Sequence, residues 1–484
     1  MTKEVRTRYA PSPTGYMHIG NLRSAIFEYL AARINGGKFI LRIEDTDQAR
    51  IVDGAVEVIY RTLKTIGIRH DEGPDVGGGY GPYVQSERKD IYLPYAMQLV
   101  QSGHAYHCFC TKERLDALRS EAEAKGVQYK YDRHCLGMPS YDILQRLDAG
   151  DDYVIRQKAP DSGTTTFHDE VYGDITVGNE NLEDQILIKS DGFPTYNFAN
   201  VIDDHTMNIT HILRGSEYLS STPKFIHLYE AFGWELPVFA HLPLVVKSDG
   251  SKISKRNGDA MFDDMIREGY LPEAILNYTV LLGWSPGDER EFFTMTELEK
   301  EFTLKGISKS PSTLDYDKLK WINGEYIRKM PPDDFTAIAG PWISRGLSGK
   351  NLDIHKIAAM IQKRVVLLGE IPESIGFLVN IGTVDPLLYD NNKMKSDALL
   401  ASKVLPLALE ALSGPVEWSH DSIYNSMAGA ASSAGLKNGQ VMWPVRVAIT
   451  ALSVTPGGAV EIAEIIGKEE TLSRIKSAIL QLEV

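Results

Sequence analysis

Residues 8–21 have the sequence RYAPSPTGYMHIGN, in which proline and glycine separate two regular elements. Val5 to Arg8 predicts a short strand before this stretch, and from Leu22 onward apolar residues recur at helical spacing. A helix N-terminus presents free backbone N–H groups and a favourable dipole to anions. We therefore expect a strand, a loop and a helix, with an anion-binding site at the mouth of the helix.

Strands and helices continue to alternate after this first helix. Phe39 to Ile43 predicts a buried strand, and residues 56–66 predict an amphipathic helix with Asp53 as its cap. This order implies a parallel sheet, and ligands of such sheets bind beyond the carboxyl ends of the strands. His18 and Glu44 are expected at that edge.

The stretch from residue 108 to residue 190 interrupts the alternation. It combines three cysteines with a helical run from Thr111 to Lys125 and with short strand-like pieces at 152–156 and 170–177. These features predict an insertion between two halves of one sheet domain.

The alternation resumes near residue 186. Strands are predicted at 186–188, 209–213 and 239–246, and a helix is predicted to begin where Thr222 can act as the cap ahead of Pro223. The second half of the sheet domain is therefore expected to follow the insertion.

Beyond about residue 325 the strand signals fade and helical periodicity dominates, as at residues 354–368 and 472–479. Pro406 is expected to interrupt one helical run, which the breaker sequence at 413–415 then closes. The C-terminal third is predicted to be an all-α module.

The composition predicts a folded protein of several domains. Its 484 residues exceed what one core usually organises, so roughly two to four domains are expected. The net charge of −14 argues against a uniformly basic surface but leaves an RNA ligand open. No charged, apolar leader and no run of about 18 apolar residues is present, so we expect a cytoplasmic protein without a membrane partner.

A second motif, KISKR at residues 252–256, follows the last predicted strand of the sheet domain. Together with residues 8–21 it resembles the paired HIGH and KMSKS signatures of class I aminoacyl-tRNA synthetases, and RYAPSPTG is similar to the bacterial-type glutamyl-tRNA synthetases in particular. Further stretches that resemble this family are LRIEDTD at 41–47, QSER at 85–88, DGFPTY at 191–196, NVIDDH at 200–205, LGWSP at 282–286 and DKL at 317–319.

The resemblance implies an α/β fold with a split Rossmann catalytic domain, an inserted acceptor-binding domain and an all-α C-terminal anticodon-binding module. The two Rossmann halves are expected at 1–107 and 191–260, and the insertion that binds the acceptor end at 108–190. A connecting region that contacts the tRNA stem is expected at 261–325, and the helical module at 326–484.

The resemblance also implies that ATP lies between the two motifs. In-line attack on the α-phosphate moves negative charge onto the departing pyrophosphate, and mobile lysines can stabilise charge that develops only in the transition state. Lys252 and Lys255 are the candidates for that role, while His18 would donate to phosphate oxygens. Gly20, at the helix mouth, and Glu217 are the further expected ATP contacts.

The amino acid implied by the resemblance is L-glutamate, which carries two carboxylates and one ammonium group. Arginine suits the two carboxylates because its planar guanidinium can pair both oxygens of a carboxylate at once. Arg8 and Arg214 match the two cations of the family, and Glu44 matches the group that binds the ammonium. Further glutamate-contacting positions of the family are matched by Ser12, Tyr196 and Asn200.

The chain has three cysteines, Cys108, Cys110 and Cys135, an odd number within one short region. This spacing favours a metal site in a reducing compartment over disulfides, and the sulfurs could share one structural zinc ion. Three ordinary reduced thiols are the alternative.

Zinc usually takes about four ligands, so one more is needed beside the three cysteines. The sequence leaves the identity of this fourth ligand open. Family members that bind zinc often carry a histidine two residues past the third cysteine, where this chain has Gly137. Tyr131 resembles the alternative ligand of some relatives, and His107 and His134 are the other candidates.

The implied reaction has two steps. The α-carboxylate of glutamate attacks the α-phosphate of Mg²⁺-bound ATP to give glutamyl-adenylate and pyrophosphate, and the terminal ribose hydroxyl of tRNA(Glu) then accepts the glutamyl group. Positioning and electrostatics would supply most of the catalysis, and a monomer is expected.

Four alternatives to this function are weighed. A glutaminyl-tRNA synthetase is opposed by the helical C-terminal third, because the corresponding region of that enzyme is a β-barrel. A truncated relative that glutamylates a tRNA base, and a nucleotidylyltransferase of the same superfamily, are opposed by the length of the chain. A non-catalytic RNA-binding protein would have no use for His18 together with Lys252 and Lys255.

Overall fold

The computed structural model describes residues 3–127, 129–251, 253, 261–414 and 417–482. The chain forms two compact units, Met1–Asp264 with Leu276–Asp315, and Met265–Ile275 with Tyr316–Val484. Among the residues described, none of the helices combines the length and the apolar character that a membrane crossing requires.

The regular elements follow in chain order. The strands are β1 (Arg6–Tyr9), β2 (Lys38–Leu41), β3 (Ala105–Cys108), β4 (Val154–Gln157), β5 (Thr164–Asp169), β6 (Gly173–Gly178), β7 (Ile186–Ile188), β8 (His211–Gly215), β9 (Val238–Leu242), β10 (Val245–Val246) and β11 (Ser312–Thr313). The helices are α1 (Ile19–Ile34), α2 (Ala55–Thr65), α3 (Lys89–Gln101), α4 (Lys112–Ala124), α5 (Ser140–Asp148), α6 (Tyr196–Thr206), α7 (Thr222–Phe232), α8 (Phe262–Glu268), α9 (Pro272–Leu281), α10 (Met295–Glu301), α11 (Tyr316–Lys329), α12 (Pro332–Leu347), α13 (Ile354–Ile361), α14 (Ile371–Ser374), α15 (Ala398–Ser413), α16 (His420–Ser433), α17 (Asn438–Thr450), α18 (Ala459–Ile466) and α19 (Lys468–Leu482).

Parallel strand pairs organise the first unit. β1 pairs with β2, and β8 pairs with β9, in both cases in parallel and with a helix between the two strands. The N–H of Thr210, just before β8, donates to the carbonyl of Arg6 at 2.9 Å, which joins the two pairs side by side. The predicted parallel sheet is thereby confirmed, and the carboxyl ends of β1 and β8 lie at one edge.

Strands from the predicted insertion pair in two ways. β3, β4 and β7 form an antiparallel sheet, whereas β5 and β6 form a hairpin. β5 also pairs in parallel with β9, with Asp169 opposite Phe239. Residues 164–178 therefore extend the sheet that carries β8 and β9.

One local prediction in the first unit was wrong, and the bounds of two predicted strands differ from those observed. Asp53 does not cap α2, because Gly54 occupies the cap position with φ +77° and no side chain bonds there. The strand predicted at 170–177 is confirmed for residues 173–177, which belong to β6, whereas residues 170–172 form the turn of the β5–β6 hairpin. The strand predicted at 239–246 breaks after Leu242, since Pro243 has no N–H to donate to a neighbouring strand.

The second unit is mainly helical, which confirms the prediction of an all-α C-terminal module. Pro406, however, does not interrupt its helix: α15 runs through it from Ala398 to Ser413, and its buried residues continue on both sides of the proline. Packing of one apolar face therefore outweighs the lost backbone hydrogen bond.

In the second unit the backbone at Gly369 lies close to the backbone carbonyl of Glu268, and this contact gives a direct test of the packing. Gly369 and Gly376 each lie in a short 3₁₀ turn, but a Cβ on Gly369 would overlap the carbonyl oxygen of Glu268, whereas a Cβ on Gly376 would meet open space. Gly369→Ala is expected to lower the free energy of unfolding by about 2 kcal/mol or more, because backbone must move. Gly376→Ala should leave it within about 1 kcal/mol of wild type. Urea unfolding of both full-length variants would measure the difference, and equal effects would contradict the described approach.

Candidate active site

A cavity of about 280 Å³ opens beyond the carboxyl ends of β1 and β8. It is lined by the loop after β1, the start of α1 and the segment that joins β9 to β10. The predicted site residues that line it are Arg8, Ser12, His18, Gly20, Tyr196, Arg214 and Glu217. Lys252 and Lys255 lie outside the described residues, but Ile253 between them is buried and lines the same cavity.

His18 is the N-cap of α1, which begins at Ile19, three residues earlier than the apolar spacing predicts. Its Nδ1 accepts hydrogen bonds from the backbone N–H groups of Gly20 at 3.1 Å and Asn21 at 3.3 Å. Two of the free N–H donors expected at this helix mouth are therefore already used by the imidazole. Because Nδ1 is an acceptor, the proton of the neutral ring lies on Nε2, which is then a donor.

The absence of a side chain at Gly20 leaves room for the ring of His18. A Cβ there would lie 3.0 Å from Cε1 and 3.1 Å from Nδ1 of His18. The glycine thus allows the imidazole to fold back onto the helix end and accept both N–H groups.

Arg214 is a buried cation with no carboxylate partner among the described residues. Its Nε donates to Nε2 of His241 at 3.2 Å and its Nη2 to Oγ1 of Thr222 at 3.0 Å, while its Nη1 is buried without any partner. The guanidinium carbon lies 4.5 Å from the ring centre of Phe225. Burial lowers the pKa of Arg214 to about 10, so the group stays charged at neutral pH.

Arg8, by contrast, is paired with acids of the protein. Its Nε donates to Oδ1 of Asp204 at 3.0 Å, and its Nη1 to Oε1 of Glu28 at 3.4 Å. Burial opposes the charge of Arg8, but these facing carboxyl groups hold its pKa above the ordinary value. Burial also raises the pKa of Glu28, which lines the cavity, well above its usual range, although Arg8 opposes this.

Glu44 and Asn200 are not among the residues that line the cavity, and Glu44 lies in a buried charge network. Its Oε1 accepts from Arg42 at 2.8 Å and from Nδ2 of Asn200 at 3.0 Å, while its Oε2 is buried without a partner. Asn200 lies one turn of α6 after Tyr196, so the two side chains share a face of that helix. Arg42 also donates to Asp204 at 2.7 Å, which links Glu44 to the acid that holds Arg8.

Several residues of this site were not predicted from the sequence. They are Arg23, Glu28, Arg42, Asp169, Asp204 and His241. Arg42 and Asp204 lie inside motifs already noted for their family resemblance, but which side chains they contact follows only from the fold. The remaining residues sit in ordinary helix or strand patterns, and no local signal sets them apart.

The three cysteines form a cluster, as predicted. Their sulfur atoms all lie within 4.8 Å of one another, and those of Cys110 and Cys135 are 3.6 Å apart. Tetrahedral zinc with Zn–S bonds of about 2.3 Å sets its sulfurs about 3.8 Å apart, so the spacing suits such an ion. Hydrogen bonds from Cys135 and Tyr131 lower the pKa of Cys108, although burial opposes this, and so favour its thiolate form.

Of the candidate fourth ligands, the structure brings Tyr131 to the cluster. Its Oη lies 3.2 Å from the sulfur of Cys108 and 3.4 Å from that of Cys110. His107 precedes Cys108 on β3, so it projects to the opposite face, where its ring packs against Tyr153 at 5.1 Å. His134 is exposed, and its ring nitrogens do not lie close to all three sulfur atoms of the cluster.

The buried network around Arg42 generates a stability prediction. Arg42 and Arg61 each donate to an aspartate at 2.7 Å, but the Arg42 pair with Asp204 is fully buried whereas Arg61 is 57% exposed beside Asp263. Arg42→Met is expected to lower the free energy of unfolding by roughly 3–5 kcal/mol, since it leaves buried carboxylates uncompensated. Arg61→Met should cost less than about 1 kcal/mol. Urea unfolding of the full-length variants is the measurement, and similar losses would contradict the network.

Two family models match the chain. The one described as tRNA synthetases class I (E and Q), catalytic domain, matches residues 4–321, and the one described as anticodon binding domain matches residues 334–479.

Relatives with the name glutamate–tRNA ligase match over the whole length of the chain. The chain is 53% identical over 483 residues to the glutamate–tRNA ligase of Clostridium botulinum (strain Okra / Type B1), covering 100% of this chain and 99% of that protein. It is 52% identical over 484 residues to the glutamate–tRNA ligase of Clostridium kluyveri, with the same coverage. The crystal structure of a glutamate tRNA ligase from Elizabethkingia meningosepticum, in complex with its amino acid, superposes with a TM-score of 0.91 at 36% identity, covering 99% of this chain and 100% of that one. The chain therefore belongs to the class I tRNA synthetases for glutamate and glutamine, with a catalytic domain of that class followed by an anticodon-binding domain.

Proposed function

We propose that this protein is a glutamate–tRNA ligase, which activates L-glutamate with ATP and transfers the glutamyl group to the 3′ end of tRNA(Glu). The observation that carries the proposal is Arg214, a buried cation whose Nη1 has no partner and which lines the same cavity as His18. A carboxylate of the substrate is the anion that this guanidinium lacks. The full-length similarity to glutamate–tRNA ligases supports the same activity.

The amino acid is held by charge complementarity at the cavity. Arg214 pairs with a carboxylate of glutamate, and Arg8, at the neighbouring strand end, contributes a second cation. Glu44 offers the unpaired Oε2 to the ammonium group, with Asn200 fixing its other oxygen at 3.0 Å. Ser12 and Tyr196, which also line the cavity, complete the amino acid contacts.

ATP enters the same cavity as its Mg²⁺ complex, and its triphosphate lies at the mouth of α1. His18 donates from Nε2 to a phosphate oxygen, and Gly20 leaves the space for that ring orientation. Glu217, at the exposed rim, contacts the nucleotide. Lys252 and Lys255, on either side of the buried Ile253, neutralise the charge that develops on the departing pyrophosphate.

The reaction needs no covalent enzyme intermediate. The α-carboxylate of glutamate displaces pyrophosphate from the α-phosphate, and the terminal ribose hydroxyl of the tRNA then displaces AMP from the adenylate. Because the side chains at the cavity position and neutralise groups rather than react with them, catalysis is mainly electrostatic preorganisation.

The remaining segments are assigned to the tRNA. We assign residues 1–107 and 191–260 to the two catalytic halves and 108–190 to binding of the acceptor end. Residues 261–325 would contact the stem, and residues 326–484 the anticodon. We further propose that the enzyme acts as a monomer in the cytoplasm, where three reduced cysteines are stable.

Pyrophosphate exchange tests the assignment directly. With tRNA(Glu) present, L-glutamate is expected to support exchange of pyrophosphate into ATP, because its side-chain carboxylate satisfies the buried cations. L-glutamine, which has the same shape but no such charge, should support exchange at least about 100-fold less well, because a buried charge would stay unpaired. Without tRNA the rate should fall sharply, as the family resemblance implies. Exchange with glutamine but not glutamate would refute the proposal.

A structural zinc ion is the second part of the proposal. Cys108, Cys110, Cys135 and Tyr131 would hold it, since three sulfurs and one phenolic oxygen converge within bonding reach of one point. Arg156 donates to the sulfur of Cys108 at 3.3 Å and adds a cation beside the thiolates. Bound there, the ion would cross-link β3 to the loop around residue 135 and would take no part in the chemistry.

Metal analysis tests the zinc proposal. Protein purified without added zinc is expected to contain about one zinc ion per chain, and Cys135→Ser should remove most of it because a thiolate ligand is lost. His107→Ala is the matched control and should keep the metal, since that ring projects away from the cluster. A zinc content far below one per chain in the wild-type protein would contradict the site.

A further inference from the structure

We propose that His241 is a positioning residue for amino acid activation, which holds the guanidinium of Arg214 through a neutral acceptor and so keeps its charge for the substrate. This inference rests on the proposed function, because it takes the amino acid carboxylate to be the partner of Arg214. His241 itself is not among the residues that line the cavity, so it acts through the arginine.

Strand register brings the two side chains together. β8 and β9 run in parallel with Arg214 directly opposite His241, and Asp169 ends β5 on the other side of β9. All three residues are buried, and both His241 and Asp169 are 0% exposed. A row of three polar side chains therefore crosses three adjacent strands and ends at the cavity wall.

The hydrogen bonds along this row fix the state of the imidazole. Nε of Arg214 always carries a proton, so Nε2 of His241, at 3.2 Å, must be the acceptor. Nδ1 then carries the ring proton and donates to Oδ2 of Asp169 at 2.7 Å. Asp169 is fixed in turn, because its Oδ1 accepts from the backbone N–H groups of Val171 at 3.0 Å and Tyr172 at 2.9 Å.

Two contacts on one side of the guanidinium fix its plane. Nε is held by His241, and Nη2 donates to Thr222, whose hydroxyl donates onward to the carbonyl of Tyr218 at 2.9 Å. Because the group is planar, these two contacts also set where Nη1 lies. Nη1 is the nitrogen without a partner, so the arrangement leaves one defined donor for a carboxylate oxygen.

The neutrality of the imidazole matters for substrate binding. A carboxylate in place of His241 would also orient Arg214, but it would neutralise the charge and compete with the substrate. An imidazole supplies the same acceptor without a net charge, and the negative charge of Asp169 is already bound by three backbone N–H groups, those of Val171, Tyr172 and His241. His241 therefore orients the guanidinium of Arg214 without neutralising its charge.

Two amide variants separate the positioning role from a merely structural one. In His241→Gln the side-chain oxygen reaches about as far as Nε2 and can still accept from Arg214. In His241→Asn the shorter amide can replace the Nδ1 donor to Asp169 but cannot reach Arg214. Steady-state pyrophosphate exchange would give the KM for glutamate, the KM for ATP and kcat of each variant, with thermal midpoints recorded beside them.

We expect the two variants to differ from each other, and we expect the KM for glutamate to change more than the KM for ATP. His241→Asn should raise the KM for glutamate roughly ten- to hundredfold while the KM for ATP changes less than about threefold. His241→Gln should stay within about fivefold of wild type for both substrates. If the two variants behave alike, or if the KM for glutamate is unchanged in His241→Asn, the inference is overturned.

Failure of the inference can be distinguished from failure of the proposed function. If wild-type protein with tRNA does not activate glutamate, the proposed function is wrong and the inference falls with it. If wild-type protein is active and the two variants show equal KM values for glutamate, only the role of His241 is wrong.

Discussion

A guanidinium buried without an anion is the constraint that organises the catalytic unit. An isolated buried charge is costly, and at Arg214 the protein reduces that cost with neutral acceptors and an aromatic face, at His241, Thr222 and Phe225. None of these groups cancels the charge, and Nη1 is left without a partner. On the function that we propose, a carboxylate of the amino acid would supply the anion that this cation lacks.

The neighbouring arginines show the opposite arrangement. Arg8 and Arg42 are both joined to Asp204, at 3.0 Å and 2.7 Å, and Arg42 also holds Glu44. These pairs form within the protein itself, so they position the wall of the cavity without the help of a ligand. Preorganised charge of this kind stabilises a reacting group without rearrangement during the reaction, because the cost of orienting it was met on folding. Fixed pairs beside Arg214 and Arg23, two buried cations of the cavity wall whose hydrogen bonds in the described part of the chain go only to neutral acceptors, give the site both rigidity and a preference for negative charge.

The sequence predicted features that depend on local pattern, and it missed those that depend on register. The alternating strands, the helical C-terminal third and the cysteine cluster all follow from residue spacing, and the structure confirms them. The contact of Asp169 with His241 arises only because β5 and β9 pair in parallel, 72 residues apart in sequence. The start of α1 was missed for another reason: apolar spacing marks the packed face of a helix, whereas a histidine cap such as His18 leaves no such signal.

The most direct test of this account is the stability of an Arg214→Met variant with and without L-glutamate, measured by urea unfolding of the full-length protein. Methionine removes the uncompensated charge at similar volume, so the ligand-free variant is expected to be at least as stable as the wild-type protein. Glutamate, present with tRNA(Glu), should stabilise the wild-type chain but not the variant. A ligand-free variant several kcal/mol less stable than wild type would show that Arg214 is a structural partner within the fold and would contradict the account.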